Sequence, residues 1–401
     1  MSETLPATQW DWKERAEKCL QTGETLHNAT LTSGSKVQEK QFLLFQVLWK
    51  DEQTRALPLK EYELDQFHKA AGAFLKDYPS WNVYKENISR RGDMSKVEES
   101  TFALVLDLQH GAALVTEDEV SESLTFALSP VSSRTRQATT AKDRDRYNAQ
   151  TPTRRKPPKQ PTMGGLYDEE SEDEDMETPA TVTPPTKQMA NLRMDPPAAE
   201  EVRELTKHQS KDEQIVNAAL ISFLSALTLH GHRGTRQSLD NAWSLHRLPL
   251  IADFGDACYE ARTDGYLYDK GKGGGTIRAL VEVKAAQRAR KEKPIRMQEA
   301  AQMVAWLKCH PERERCLNKP GRRLHVSQDR NEIYIIVAEY NMDYLDFLNG
   351  NGDSNAFMIM HEYGPWDTGT KVHMEALAPI LVAVALRAAA DRKEEEKMRK
   401  K

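Results

Sequence analysis

The 401-residue chain holds four cysteines, Cys19, Cys258, Cys309 and Cys316, too few and too scattered for a disulfide scaffold. No two of them form a Cys-x-x-Cys pair. The nearest approach to a zinc motif, Cys309 and His310 with Cys316 and His325, therefore lacks the usual ligand spacing and is read as packing. With so little cysteine and no secretory signal, the expected compartment is reducing, nuclear or cytoplasmic, and the chain is not expected to be secreted. Long apolar runs are missing too. The longest, residues 377–386, is well short of the ~20 residues that cross a bilayer, so no transmembrane segment and no membrane partner are expected. Aromatic residues make up only 7%, and a net charge of −5 gives the molecule no dominant sign. Any charge-based function must therefore rest on local distribution.

What is present falls into segments. At 39% hydrophobic, the chain can support two folded parts and a polar connection. Residues 1–36 are polar, with Trp10 and Trp12 as apolar anchors, and read as a flexible arm. Residues 37–128 read as an α-rich unit: Phe42, Phe45 and Trp49 recur at helical spacing within 37–50, as do Phe67, Ala70, Ala71, Phe74 and Tyr78 within 60–78. The run 102–108 fits strand or helix. These side chains are core-forming, and no catalytic motif lies among them. Residues 129–204 turn to Ser, Thr, Pro, Gln and charge, the composition of a disordered linker. It carries a basic run at 153–159, of the kind nuclear import receptors bind, and an acidic run at 168–177 around Ser171, a candidate phosphorylation site. A protein partner is expected, if anywhere, through the N-terminal unit or the acidic run. A second folded domain spans 205–390, and 391–401 is a charged tail ending a frayed helix.

The chemistry concentrates at 264–302. From Ile277 to Ala285 apolar and polar residues alternate, which predicts a half-buried strand with Glu282 and Lys284 on its polar face. Residues 264–269 form a second short strand, and the glycine-rich 270–275 between them supplies a hairpin turn. An antiparallel pairing puts Asp264 opposite Val281 or Glu282, so two carboxylates and an ammonium meet at one end. Hard oxygen ligands of this kind suit Mg²⁺ or Mn²⁺, with Asp264, Glu282 and the carbonyl of Val283 as the ligand set. Lys284 would orient an attacking water or offset charge on a scissile phosphate. Acid-x-Lys also occurs at Asp11–Lys13, Asp391–Lys393 and Glu395–Lys397, but only at 282–284 does it lie on an alternating strand after an Asp-bearing one.

Downstream, Pro294 starts a helix over 294–308 that places Gln298 and Gln302 on one face. Upstream, a buried helix is expected over 211–229, with Ser210 as its cap and Glu213 as either cap partner or ligand support. Two strands at 243–251 and 253–260 follow; Asp253 and Asp256 are rivals to Asp264, and His230 and His246 are read as packing or surface residues. A strongly β-branched strand at 332–339 is expected to be central, with another at 356–363 and a last helix from about residue 373. Between 278 and 296 stand Arg278, Lys284, Arg288, Arg290, Lys291, Lys293 and Arg296, against only Glu282 and Glu292. Arg278, Arg288, Arg290, Lys291, Lys293 and Arg296 are the candidate nucleic-acid-binding residues, since such a patch holds a phosphate backbone without reading sequence.

Asp264 followed by Glu282-Val283-Lys284, with a glutamine-bearing helix after it, resembles the PD-(D/E)XK nuclease superfamily. It is similar in particular to uncharacterised fungal proteins with such a nuclease-like domain. The resemblance covers about residues 205–390. It departs from the family pattern in having Thr263 where a proline usually precedes the aspartate, and Gln302 where the exonuclease-like branch often has a tyrosine. It implies an α/β (α+β) fold with a restriction-endonuclease-like core, a mixed sheet flanked by helices, and metal-dependent phosphodiester hydrolysis of nucleic acid, DNA ahead of RNA. Under that resemblance Asp264 and Glu282 bind the metal and Lys284 assists the nucleophile. Gln298 and Gln302 position the phosphate or the water on the ion, and Glu213 is an auxiliary. The alternative is an inactive nuclease-fold module that binds nucleic acid or a protein.

Overall fold

The computed structural model describes residues 4–89, 94–115, 197–229, 239–270, 275–311, 321–351 and 355–399. The basic and acidic runs at 153–159 and 168–177, Ser171, Cys316, His230 and the turn residues 271–274 lie outside them. The described residues of 1–119 and 207–401 gather into one compact unit. In chain order the described α-helices and strands are α1 (Gln9–Cys19), α2 (Glu39–Leu44), β1 (Val47–Asp51), α3 (Asp65–Lys76), α4 (Pro79–Asn87), α5 (Ala103–Leu114), α6 (Pro197–Thr228), β2 (Asn241–Ser244), β3 (Pro249–Asp253), β4 (Cys258–Arg262), β5 (Gly265–Asp269), β6 (Ile277–Lys284), α7 (Arg288–Cys309), β7 (Gly321–Asp329), β8 (Glu332–Tyr340), α8 (Met342–Leu348), β9 (Met358–Asp367) and α9 (Lys371–Arg399).

Seven strands form one mixed sheet in the order β1-β9-β8-β7-β6-β5-β2, and β3 with β4 makes a separate ribbon. The β1–β9 and β6–β7 pairs are parallel and the others antiparallel. Helices cover both faces. On one, Phe223 of α6 and Leu381 of α9 pack with the α3–α5 helices over Val281, Val283 and Val326. On the other, Ala300, Val304 and Trp306 of α7 pack with the β3–β4 ribbon and α8 over Leu280, Ile336 and Met360. Each fully buried large side chain contributes about 1.5–3 kcal/mol, so this two-sided burial fixes the register of the central strands. The expected mixed sheet flanked by helices, with a helical N-terminal part, is what the chain forms. β8 is central as expected. α9 is apolar enough over much of its length to cross a membrane, and most of that stretch is buried inside the protein.

Several local expectations are corrected. Residues 37–128 were expected to form a unit of their own, but those described pack into the same body as the C-terminal half. Gln46 adopts φ 52°, which ends α2 and turns the chain into β1, whose buried Val47, Leu48 and Trp49 extend along β9 and close that edge of the sheet. The helix expected over 37–50 is therefore confined to Glu39–Leu44, and strand replaces its second half. The arm is anchored as well: Leu5 and Leu26 are buried, and the His27 ring nitrogens lie 3.0 Å from the Phe254 carbonyl and 3.2 Å from that of Phe347. Strand β6 is buried on both faces rather than one, because α7 lies over the face that carries Glu282. Ser210 sits inside α6, which begins at Pro197, so it is no cap. The tail stays helical to Arg399, and Glu395 pairs with Arg278 at 2.8 Å.

Candidate active site

The hairpin forms with the expected register. Gly265 pairs with Val281, and the Asp264 N–H donates to the Val281 carbonyl at 3.0 Å, which sets Asp264 level with Glu282. The Val283 N–H donates in turn to Asp264 Oδ2 at 3.2 Å. In an extended strand the carbonyl of the same residue leaves on the same edge, so Val283 presents its oxygen beside Asp264. Gly265 is required here. A Cβ at that position would lie 2.5 Å from the Ser244 carbonyl and 2.9 Å from Ile221 Cδ1, so only glycine lets β2 and α6 close against the strand that begins at the aspartate.

Glu282 points to the opposite face from Val281 and Val283, under α7. It is 1% exposed and accepts from three side chains. Lys284 Nζ and Gln298 Nε2 donate to Oε1 at 2.6 and 2.5 Å, and Gln302 Nε2 donates to Oε2 at 2.6 Å while also reaching the Arg262 carbonyl at 2.7 Å. The spacing of four residues between the glutamines is what lets both reach one carboxylate. Burial, followed by the negative charge of Asp264, pushes the Glu282 carboxyl up to about 8, and Lys284 and Gln302 only partly counteract this. Burial also pulls on Lys284, but Glu282, Glu213 and Asp264 outweigh it and hold the amine above its usual value, so it stays an ammonium. From the other face, α6 supplies Glu213, whose Oε1 lies 4.0 Å from Lys284 Nζ, and Asn217, whose Nδ2 donates to the Asp264 carbonyl at 2.9 Å.

Asp264, Glu282, Val283, Lys284, Gln298, Gln302 and Glu213 are thus brought to one end of the β5–β6 hairpin. The rivals are elsewhere: Asp253 ends β3, where its Oδ1 accepts from the Gly255 N–H at 2.9 Å, and Asp256 is exposed between β3 and β4, while His246, read as packing or surface, lies edge-on against Tyr266. Among the described residues no three His, Cys, Asp or Glu side chains group as a ready cation cage. The donor set that does exist is all oxygen, two carboxylates and one carbonyl, and the repulsion that Asp264 exerts on Glu282 is what a divalent cation between them would relieve. The residues fit Mg²⁺ or Mn²⁺ in that sense, with the remaining positions left to water and substrate.

The basic patch does not survive as expected. Arg288 is buried, and its guanidinium donates to Asp329, Glu299, Glu362 and Ser327 while lying 4.1 Å from the centre of the Tyr334 ring. Arg296 is buried in the same network, bound to Glu362, Asp51 and Glu292. Lys293 pairs with Glu39 at 2.9 Å, and Arg278 with Asp269 and Glu395. Arg290 and Lys291 alone of the six are exposed. The reason is a break in α7 at Lys291 (φ −134°, ψ 35°), three residues before Pro294, whose ring blocks regular helix there and turns Arg288 inward. Sequence reasoning also missed two neighbours of Asp264. Asn217 was signalled by standing four residues after Glu213 on one helix. Arg247, whose guanidinium lies 3.2 Å from Asp264 Oδ1, had no local signal.

Compared with known protein families and with characterised proteins, the chain shows no match.

Proposed function

We propose that this chain is a metal-dependent nuclease of the PD-(D/E)XK type, hydrolysing phosphodiester bonds of nucleic acid, DNA ahead of RNA. The observation that supports it is the junction of Asp264, Glu282 and Lys284 at one end of the β5–β6 hairpin, with Glu282 held by Gln298 and Gln302 from α7. Bound Mg²⁺ or Mn²⁺ would supply Lewis acidity toward the scissile phosphate. Asp264, Glu282 and the Val283 carbonyl are the groups that would hold the ion. The two glutamines fix the Glu282 carboxylate in place, so its oxygens need no reorganisation as charge builds. Lys284 remains protonated and faces the same end of the strand, where it holds a positive charge for the phosphate oxygens. Glu213, half-exposed and near Lys284, keeps that ammonium oriented.

Labelled single- and double-stranded DNA and RNA, incubated with purified protein with and without Mg²⁺ or Mn²⁺, test this. Cleavage should require the ion and fall by about a hundredfold or more in Asp264→Asn and in Lys284→Ala. One feature favours a second function, a nuclease-fold module that only binds: both Glu282 oxygens already accept hydrogen bonds from side chains. Binding without metal-dependent cleavage, or cleavage untouched by either substitution, would decide for that module.

A further inference from the structure

The Asp264 carboxylate is engaged on both oxygens: Oδ2 by the Val283 N–H and Oδ1 by the Arg247 guanidinium at 3.2 Å. The Asp264 side chain is only 10% exposed, whereas that of Arg247 is 63% exposed, so the guanidinium stands on the solvent side of the aspartate. Its backbone is fixed. Residues 245–248 join β2 to β3, and the connection is tied down by the His246 N–H on Ser244 Oγ at 3.0 Å and by the Thr263 N–H on the Leu248 carbonyl at 3.2 Å. The second bond links the connection to the residue just before Asp264. A long, flexible cation is thus tethered at the mouth of the site with its charged end on a proposed ligand oxygen.

Resting on the nuclease function proposed above, we infer that Arg247 is a phosphate-contact residue whose guanidinium competes with a divalent cation for the Asp264 carboxylate. A divalent ion on Oδ1 would repel the guanidinium beside it and weaken that ion pair. The free fork, still within a side chain's length of Asp264, then presents two N–H groups to the backbone phosphate beside the scissile one. Arg247 thereby couples metal uptake to substrate binding: it competes with the first and is made available by it.

The coupling is tested by calorimetric titration of Mn²⁺ into the full-length wild-type protein, Arg247→Ala, Arg247→Lys and Asp264→Asn, and by anisotropy of a fluorescein-labelled duplex DNA oligonucleotide across a salt series with Mn²⁺ present. Losing an exposed competing cation should tighten Mn²⁺ binding in Arg247→Ala by roughly two- to fivefold. The same variant should bind the oligonucleotide more weakly, with the slope of log affinity against log salt reduced by about 0.9, one phosphate contact. Arg247→Lys should restore the slope, since the charge is retained. Unchanged Mn²⁺ affinity and unchanged slope in Arg247→Ala, in a protein whose Mn²⁺ binding is lost in Asp264→Asn, overturn the inference and leave the nuclease reading standing. Absence of Mn²⁺ binding in wild type and Arg247→Ala alike overturns both.

Discussion

Replacing Glu282 by glutamine isolates the electrostatic strain at the centre of the site. The carboxyl is raised from an ordinary value of 4.5 to about 8, first by burial and then by Asp264. A group whose folded pKa lies above its unfolded one takes up a proton on folding between the two values, so wild-type stability is fullest below about pH 4.5 and is lost as pH rises through about 8. Within that window each pH unit costs about 1.4 kcal/mol, with a ceiling of about 5 kcal/mol across it. Lys284 is protonated throughout and adds no slope. Glutamine has the same shape and no titration, although its amide meets Gln302 Nε2 donor to donor, which adds an offset that does not depend on pH. The measurement is therefore the difference in urea-unfolding free energy between wild type and Glu282→Gln at about pH 5.5 and about pH 7.5. It should shift by about 2–3 kcal/mol in favour of the variant. Other buried groups, such as Glu299 at about 7 and His325 at about 3, titrate in both proteins and cancel to first order. Curves that stay parallel would mean that Glu282 is already ionised at the lower pH, and the account of burial and repulsion at this site would fail.

Arg288→Met removes the hub of the buried network and leaves Asp329, Glu299 and Glu362 facing one another; urea unfolding should record a loss of about 3–5 kcal/mol, the cost of stranding buried charge. Gly265→Ala sets a methyl against the Ser244 carbonyl and Ile221, and thermal melts should report a destabilisation of about 1–3 kcal/mol or more, whereas Gly72→Ala on exposed α3, with nothing within 4 Å, should be neutral or stabilising. Duplex DNA binding by the wild type should depend weakly on salt. With Arg290 and Lys291 as the exposed cations of that stretch and Arg247 beside Asp264, the slope of log affinity against log salt should be about −2 to −3, against about −5 for the six-residue patch suggested by sequence. A slope near the larger value would place the binding surface elsewhere.

The site was legible where its geometry is local. Alternation along 277–284 and the glycines before it specify a hairpin, and the hairpin's register alone sets Asp264 level with Glu282. The glutamines were legible because helix periodicity puts residues four apart on one face. Strand β1, at the edge of the sheet, was not. Phe42, Phe45 and Trp49 recur at helical spacing, and only a left-handed turn at Gln46, a residue type with no preference for it, separates α2 from β1. The edge that β1 closes is offered by β9, more than three hundred residues away in sequence.

The basic run illustrates the same limit in electrostatic form. Four of the seven cations between 278 and 296, Arg278, Arg288, Lys293 and Arg296, look solvated in sequence because acids outside that stretch pair with them, most of them distant: Glu39, Asp51, Asp329, Glu362 and Glu395. Local charge excess measures unpaired charge only when partners are local, and a buried strand end that gathers carboxylates from β1, β7 and β9 draws in arginines first. The consequence reaches the site itself. Arg288 ties the start of α7 to β7 and β9, and Gln298 and Gln302 lie three and four turns along that same helix, so the charges read as a docking surface for phosphate act to aim two amides at Glu282. Under the proposed function, affinity for a polyanion would then have to come from the few cations at the mouth, where a phosphate and the Asp264 carboxylate would compete for the Arg247 guanidinium.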